Sequence, residues 1–229
     1  MNNIEDKKSI LLLSEKTVLG LHSSLIRRLP DNVSHSSPIL DLGCGSGAWL
    51  QRLSEDGFID LTGLDRDMEE IQSNVGVYIN SDLDGPDWGL PEKRFKLITA
   101  IEVIEHLGNI GWLLEQAEKV LADEGWILVT SPNIHSLPVR LRFMLTGDLK
   151  QFGKIGDTEH IFPIVLGSFP RLLKRYGLEI FEYWGYPEDG RTLTSRSLVN
   201  WVVRLFRLFL PEQLPGDVIC MLIKRKGLV

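Results

Sequence analysis

Short apolar runs alternate with helical stretches along the first 132 residues, and this alternation restricts the fold more than any other feature. Residues 38–42, 59–64, 76–81, 95–101 and 126–130 each read as a short buried strand. Residues 48–56, 67–73 and 109–122 between them read as helices. A strand–helix repeat of this kind predicts an α/β fold with a mostly parallel central sheet and helices on both faces. An N-terminal helix is expected over 4–29, stopped at Pro30. Beyond the repeat, residues 167–176 and 196–210 read as helices, and 178–183 and 217–224 as strands. The 229 residues suit a single domain, with 1–37 as a helical cap. The stretch 132–165 holds Pro132, Pro138 and Pro163 and reads as a long irregular connection, such as a lid on the substrate side.

Composition narrows the function. With 43% apolar and 24% charged residues, the chain is neither disordered nor a disulfide scaffold. No apolar run reaches the roughly 18 residues of a membrane span. The N-terminus lacks a signal-peptide pattern, and Cys44 and Cys220 read as reduced thiols, so a cytoplasmic protein is expected. The formal charge of −6 weighs against a nucleic-acid partner. No feature sets an oligomeric state.

In an open α/β sheet, ligands bind beyond the carboxyl ends of the strands. There the chain places Asp41-Leu42-Gly43-Cys44-Gly45-Ser46-Gly47 after the first strand, Asp65 after the second, Asp82 after the third and Glu102 after the fourth. Glycines at that turn let a ligand approach the backbone. Asp65 follows Gly43 by about the 20 residues expected of a ribose-binding acid. The glycine spacing is G-x-G-x-G, which disfavours a nicotinamide dinucleotide. A carboxylate at Asp41 suits a ligand ammonium and would repel a pyrophosphate. Ribose combined with an amino acid describes S-adenosylmethionine.

These segments together resemble the class I S-adenosylmethionine-dependent methyltransferases, close to the ubiquinone-biosynthesis O-methyltransferase group. Asp41 to Gly47 resembles their first signature and Gly63-Leu64-Asp65 their second-strand acid. Ser81-Asp82-Leu83 resembles the adenine-binding turn, and Val120 to Asn133 the fifth-strand signature. The resemblance implies a Rossmann-like, seven-stranded sheet with the last strand antiparallel. It implies that Gly43, Gly45 and Gly47, with Asp41 and Cys44, line the methionyl part. Asp65 would serve the ribose and Asp82 with Leu83 the adenine, with Arg66, Ile101 and Glu102 also among the cofactor-binding residues.

Glu102, Glu105 and His106 form an E-x-x-E-H pattern, which on a helix would share one face. Two carboxylates and an imidazole suit a divalent ion. The pattern resembles the ubiquinone-type enzymes and also the 3′-end RNA 2′-O-methyltransferases, where a later histidine completes a metal site. Glu102, Glu105, His106 and His160 are therefore a candidate metal set, with His135 a weaker alternative to His160. Without a metal, His106 is the candidate general base and Glu105 its catalytic partner.

The acceptor is expected to be a small molecule methylated on oxygen. The alternatives are metal-dependent 2′-O-methylation of RNA 3′ ends and an S-adenosylmethionine-binding protein without turnover. Arg140, Arg142 and Lys150 read as a solvated surface or an anion site. Trp184, Tyr186 and Trp201 read as core packing or an aromatic pocket. The apolar segment 198–210 reads as a packed helix, or as a weak membrane-surface contact.

Overall fold

A computed structural model describes residues 13, 16–153, 156–189 and 214–227. Residues 4–12, 14 and 15 of the helix expected over 4–29, the 196–210 helix, the apolar 198–210 segment and Trp201 lie outside the described residues, and between 16 and 29 only Leu21–Ile26 is helical. Seven strands form one sheet: β1 (Ile39–Leu42), β2 (Leu61–Asp65), β3 (Val77–Asn80), β4 (Phe95–Ile101), β5 (Leu121–Pro132), β6 (Leu178–Tyr186) and β7 (Val218–Arg225). Their order is β3-β2-β1-β4-β5-β7-β6. The first five pair in parallel, and β7 runs antiparallel to both neighbours. This is the expected doubly wound sheet with an antiparallel last strand. No helix among the described residues is long and apolar enough to cross a membrane.

Helices cover both faces because each carries one apolar stripe. On one face lie α1 (Leu21–Ile26) and α2 (Ala48–Glu55), which bury Leu21, Leu25, Trp49, Leu50 and Leu53. On the other lie α3 (Ile110–Val120) and α5 (Phe169–Arg175), burying Leu113, Leu114, Phe169 and Leu173. The Asn109 side chain caps α3 by accepting the Trp112 N–H at 3.0 Å. Burial of apolar side chains on both faces explains why β1 reads as an uninterrupted apolar run except for Asp41.

Four local expectations change. The segment 67–73 keeps only one 3₁₀ turn, Met68–Glu70. The 132–165 connection contains a ten-residue helix, α4 (Leu137–Thr146). Pro138 sits in its first turn, where a missing N–H costs nothing, and Gly147 ends it at φ +68. Strand β5 starts at Leu121, five residues before the expected Trp126, because Leu121 pairs with Phe95 and the ladder resumes at Leu97 and Trp126. The polar residues between them, left outside the expected helix over 109–122 and strand over 126–130, form an irregularity within the strand. Finally, Glu102 lies on no helix, as described below.

Candidate functional site

The order of strands reverses between β1 and β4, and a crevice opens beyond their carboxyl ends. Asp41, Gly43, Cys44, Gly45, Ile101 and Glu102 line it. Gly43 and Cys44 both donate their N–H to the Leu64 carbonyl, at 2.8 and 3.1 Å, which ties the loop to the end of β2. Gly43 has φ +67, and a Cβ there would come within 2.7 Å of Val103. Gly45 has φ +49 and nothing within 4 Å of the place a Cβ would take, so the backbone stands bare toward the crevice. Cys44 is buried, and burial pushes its thiol far above the reactive range, so its size rather than its nucleophilicity matters here.

The acids behave differently from one another. Asp65 accepts the Gly45 N–H at 2.7 Å on one oxygen and the Asp67 N–H at 2.9 Å on the other. It therefore fixes the glycine loop while keeping lone pairs for a ligand. Asp41 is buried, and the sheet register sets it directly beside Thr99, whose hydroxyl donates to it at 2.7 Å. Burial pushes its carboxyl up to about 7 against the lowering effect of that bond. Asp82 is exposed and Leu83 is buried on the turn after β3. Arg66 is exposed, and its carbonyl accepts the Asn80 amide at 2.9 Å.

Glu102 occupies the left-handed region at φ +54. Such backbone costs about 1–3 kcal/mol and needs support. Thr130 supplies it: its hydroxyl accepts the Glu102 N–H at 3.0 Å and donates to the Glu102 carboxylate at 2.9 Å. Only Ile104–His106 then forms a 3₁₀ turn, so the expected single helical face for Glu102, Glu105 and His106 does not form.

A different grouping arises instead. Glu105, His106 and His160 each offer a ligand atom, all within 4.8 Å of one another. The segment carrying His160 reaches Glu105 through its backbone: Ile161 and Phe162 donate to the Glu105 carbonyl at 2.7 and 3.1 Å. The His106 and His160 rings meet edge to face with centroids 4.7 Å apart. His160 Nδ1 lies 2.9 Å from the Gln151 carbonyl, to which it can donate, leaving Nε2 as the ligand atom. Glu105 is fully buried, and neither carboxylate oxygen has a hydrogen-bond partner among the described residues. Burial, then the neighbouring Glu102, raises its carboxyl well above the usual range. Burial, then His160, lowers His106 below the usual imidazole value. Glu102 stands outside this group, and His135 is engaged elsewhere, its Nε2 accepting the Leu166 N–H at 3.2 Å.

Comparison with known proteins decides the family. The profile of the family described as methyltransferase domain matches residues 16–183. The chain belongs to the methyltransferase domain family. A ubiquinone biosynthesis O-methyltransferase of Bradyrhizobium diazoefficiens is 28% identical over 104 residues, 42% of this chain and 40% of that protein. The chain thus matches less than half the length of that relative. A SAM-dependent methyltransferase from Archaeoglobus fulgidus shares the fold with a TM-score of 0.60 at 19% identity, over 89% of this chain and 92% of the other. The plantazolicin methyltransferase BpumL, in complex with SAH, superposes with a TM-score of 0.55 at 20% identity, over 83% and 76% of the two chains. The fold is that of the class I S-adenosylmethionine-dependent methyltransferases.

In this methyltransferase domain the crevice has walls that sequence reading did not single out. Lys16, Thr17, His22 and Trp49 line it as well. The His22 and Trp49 rings meet at a tilt of 60° with centroids 5.3 Å apart, and burial lowers His22 to about 4, so it is neutral near pH 7. The available signal was polarity inside apolar strands: Thr99 interrupts β4 and anchors both Trp49, at 3.1 Å, and Asp41. Of the surface residues weighed for the acceptor, Arg142 pairs with Asp148 at 3.3 Å. Trp184 is buried under the Arg28 guanidinium, 4.8 Å from its ring centre, and Tyr186 donates to the Leu19 carbonyl.

Glu105 also makes stability depend on pH. Its raised value means the folded state holds a proton that the unfolded state has lost. That contribution is complete below the ordinary glutamate range and is lost as pH rises toward the raised value. Wild-type melting temperature in chelator should therefore fall between about pH 5 and pH 9. Glu105→Gln should flatten the fall by about 2 °C or more, the effect of roughly 1 kcal/mol in a domain this size. Parallel curves in differential scanning calorimetry would refute the assignment.

Proposed function

We propose that this domain transfers a methyl group from S-adenosylmethionine to a hydroxyl oxygen of a small molecule. The observation that carries the reading is the unsatisfied, buried Glu105 carboxylate beside two histidines, three residues beyond the crevice wall at Glu102. The crevice suits the cofactor's charges: bare glycine backbone for close approach, Asp41 toward an ammonium and Asp65 toward the ribose hydroxyls. Asp82 and Leu83 would flank the adenine, with Arg66 beside the ribose and Ile101 on the far wall. S-adenosylmethionine supplies a methyl group already activated as a sulfonium. The protein's task is to hold an acceptor oxygen in line with it and to receive the acceptor's proton. Burial holds His106 below the usual imidazole value and its Nδ1 has no hydrogen-bond partner among the described residues, which supports it as the group that receives this proton. Methyl transfer forms the oxygen–carbon bond, breaks the carbon–sulfur bond and leaves S-adenosylhomocysteine.

The same cluster fits a divalent ion. An orphaned buried carboxylate with two imidazoles is a donor set for a borderline metal, and Glu105, His106 and His160 would hold it. Bound there, a metal would lower the pKa of an acceptor hydroxyl. His160 joining Glu105 and His106 also favours a second reading, 2′-O-methylation of RNA 3′ ends, although the −6 charge opposes it. Titration of Mn²⁺ into chelator-stripped protein preloaded with S-adenosylhomocysteine separates these readings. One saturable site, lost in Glu105→Ala, is the expected result for a metal enzyme, and labelled methyl transfer to catechols or to RNA then names the acceptor. No Mn²⁺ binding would leave His106 acting alone and remove the RNA reading. Cofactor binding without transfer to any acceptor would point to a protein without turnover.

A further inference from the structure

Asp82-Leu83-Asp84-Gly85 forms a tight turn after β3. Gly85 donates its N–H to the Asp82 carbonyl at 2.9 Å, and the Asp84 N–H donates to the Asp82 carboxylate at 3.0 Å. Leu83 is buried in the same core as Val103, Ile104 and Leu107. Asp84 then reaches across to a different loop. One carboxylate oxygen accepts the Gly108 N–H and the other the Asn109 N–H, each at 3.0 Å. A third bond runs in parallel, from the Trp112 indole N–H to the Gly85 carbonyl at 2.8 Å.

The two amides held by Asp84 lie two and three residues after His106 and lead into the N-terminus of α3. A carboxylate there meets the positive end of the helix dipole and makes charge-assisted hydrogen bonds. Two loops far apart in sequence are thus joined, one beside the adenine turn and the other carrying Glu105 and His106. The Glu105 carbonyl in turn holds Ile161 and Phe162, next to His160.

The geometry points to Asp84 as a positioning residue that couples cofactor binding at Asp82–Leu83 to the placement of Glu105 and His106. This coupling rests on the cofactor reading above. A ligand that orders the adenine turn orders the acceptor-side turn through the Asp84 carboxylate. By the reciprocity of linkage, an acceptor that orders the acceptor-side turn strengthens cofactor binding by the same factor. Both Asp84 carboxylate oxygens are engaged by the Gly108 and Asn109 N–H groups, so its role is to position.

Hydrogen–deuterium exchange of the full chain, with and without saturating S-adenosylhomocysteine, tests the coupling without needing the acceptor. In the wild type, ligand should slow exchange by about tenfold or more both at the glycine loop and over residues 103–112. In Asp84→Ala the slowing should persist at the glycine loop and shrink to less than about twofold over 103–112. Asp84→Asn retains one acceptor oxygen and should be intermediate. Trp112→Phe keeps the ring, loses the third bond and should show partial loss. These two variants carry the test if Asp84→Ala does not melt cooperatively. Full ligand protection of 103–112 in the Asp84 variants would overturn the coupling, as would a wild type that binds ligand without protecting that segment. A wild type that binds no S-adenosylhomocysteine would overturn the cofactor reading, and the coupling with it.

Discussion

Asp65→Ala should weaken S-adenosylhomocysteine binding by about 100-fold or more. Hydrogen bonds to a charged group are worth roughly 1.5–3 kcal/mol each, and two ribose hydroxyls would lose theirs together. The loss extends beyond the ligand, because Asp65 also holds the Gly45 N–H at 2.7 Å and so sets the shape of the glycine loop. Asp65→Asn, which keeps an oxygen for Gly45, should recover part of the affinity. Isothermal titration calorimetry gives the answer directly. An Asp65→Ala protein with unchanged affinity would remove the cofactor assignment from this crevice.

Glu105→Ala should do the reverse. It should leave S-adenosylhomocysteine affinity within about threefold of wild type while methyl transfer falls by about 100-fold or more, the range of acid–base contributions. The Glu105 carboxyl is fully buried and its raised pKa keeps it protonated in the folded state, an arrangement that costs stability as pH rises and that packing alone does not explain. Label from methyl-tritiated S-adenosylmethionine, followed into the small-molecule fraction of a cell extract, measures transfer. Glu105→Gln, nearly the same shape, separates loss of the ionisable carboxyl from loss of volume. Undiminished transfer in both variants would make the cluster a structural feature only.

The two predictions rest on features that differ in how far they could be read from the chain. The glycine loop and Asp65 are local: a strand end, a tight turn and a helix start lie within a few residues, and the β1–β2 crossover is short. Their spacing carries the geometry with it. The E-x-x-E-H segment is equally local, yet its helical reading was wrong. Thr130 reaches in from β5 and holds Glu102 at φ +54, which ends any helix before it starts. A side chain on a neighbouring strand is invisible to periodicity. The 132–165 stretch misled for the opposite reason, since Pro138 reads as a breaker until its place in the first turn of α4 is known.

Strand–helix alternation and short crossovers leave few arrangements, so the α/β class, the glycine-lined crevice and the acids at the ends of β1, β2 and β4 were legible in the chain. Tertiary structure alone decided three things. It set Thr99 beside Asp41 through the β1–β4 register. It joined His160 to Glu105 and His106 through backbone bonds to Glu105. It tied Asp84 to the amides before α3. Each depends on where a distant segment crosses the top of the sheet, and that is settled by packing and hydrogen-bond satisfaction across the whole fold rather than by any local pattern.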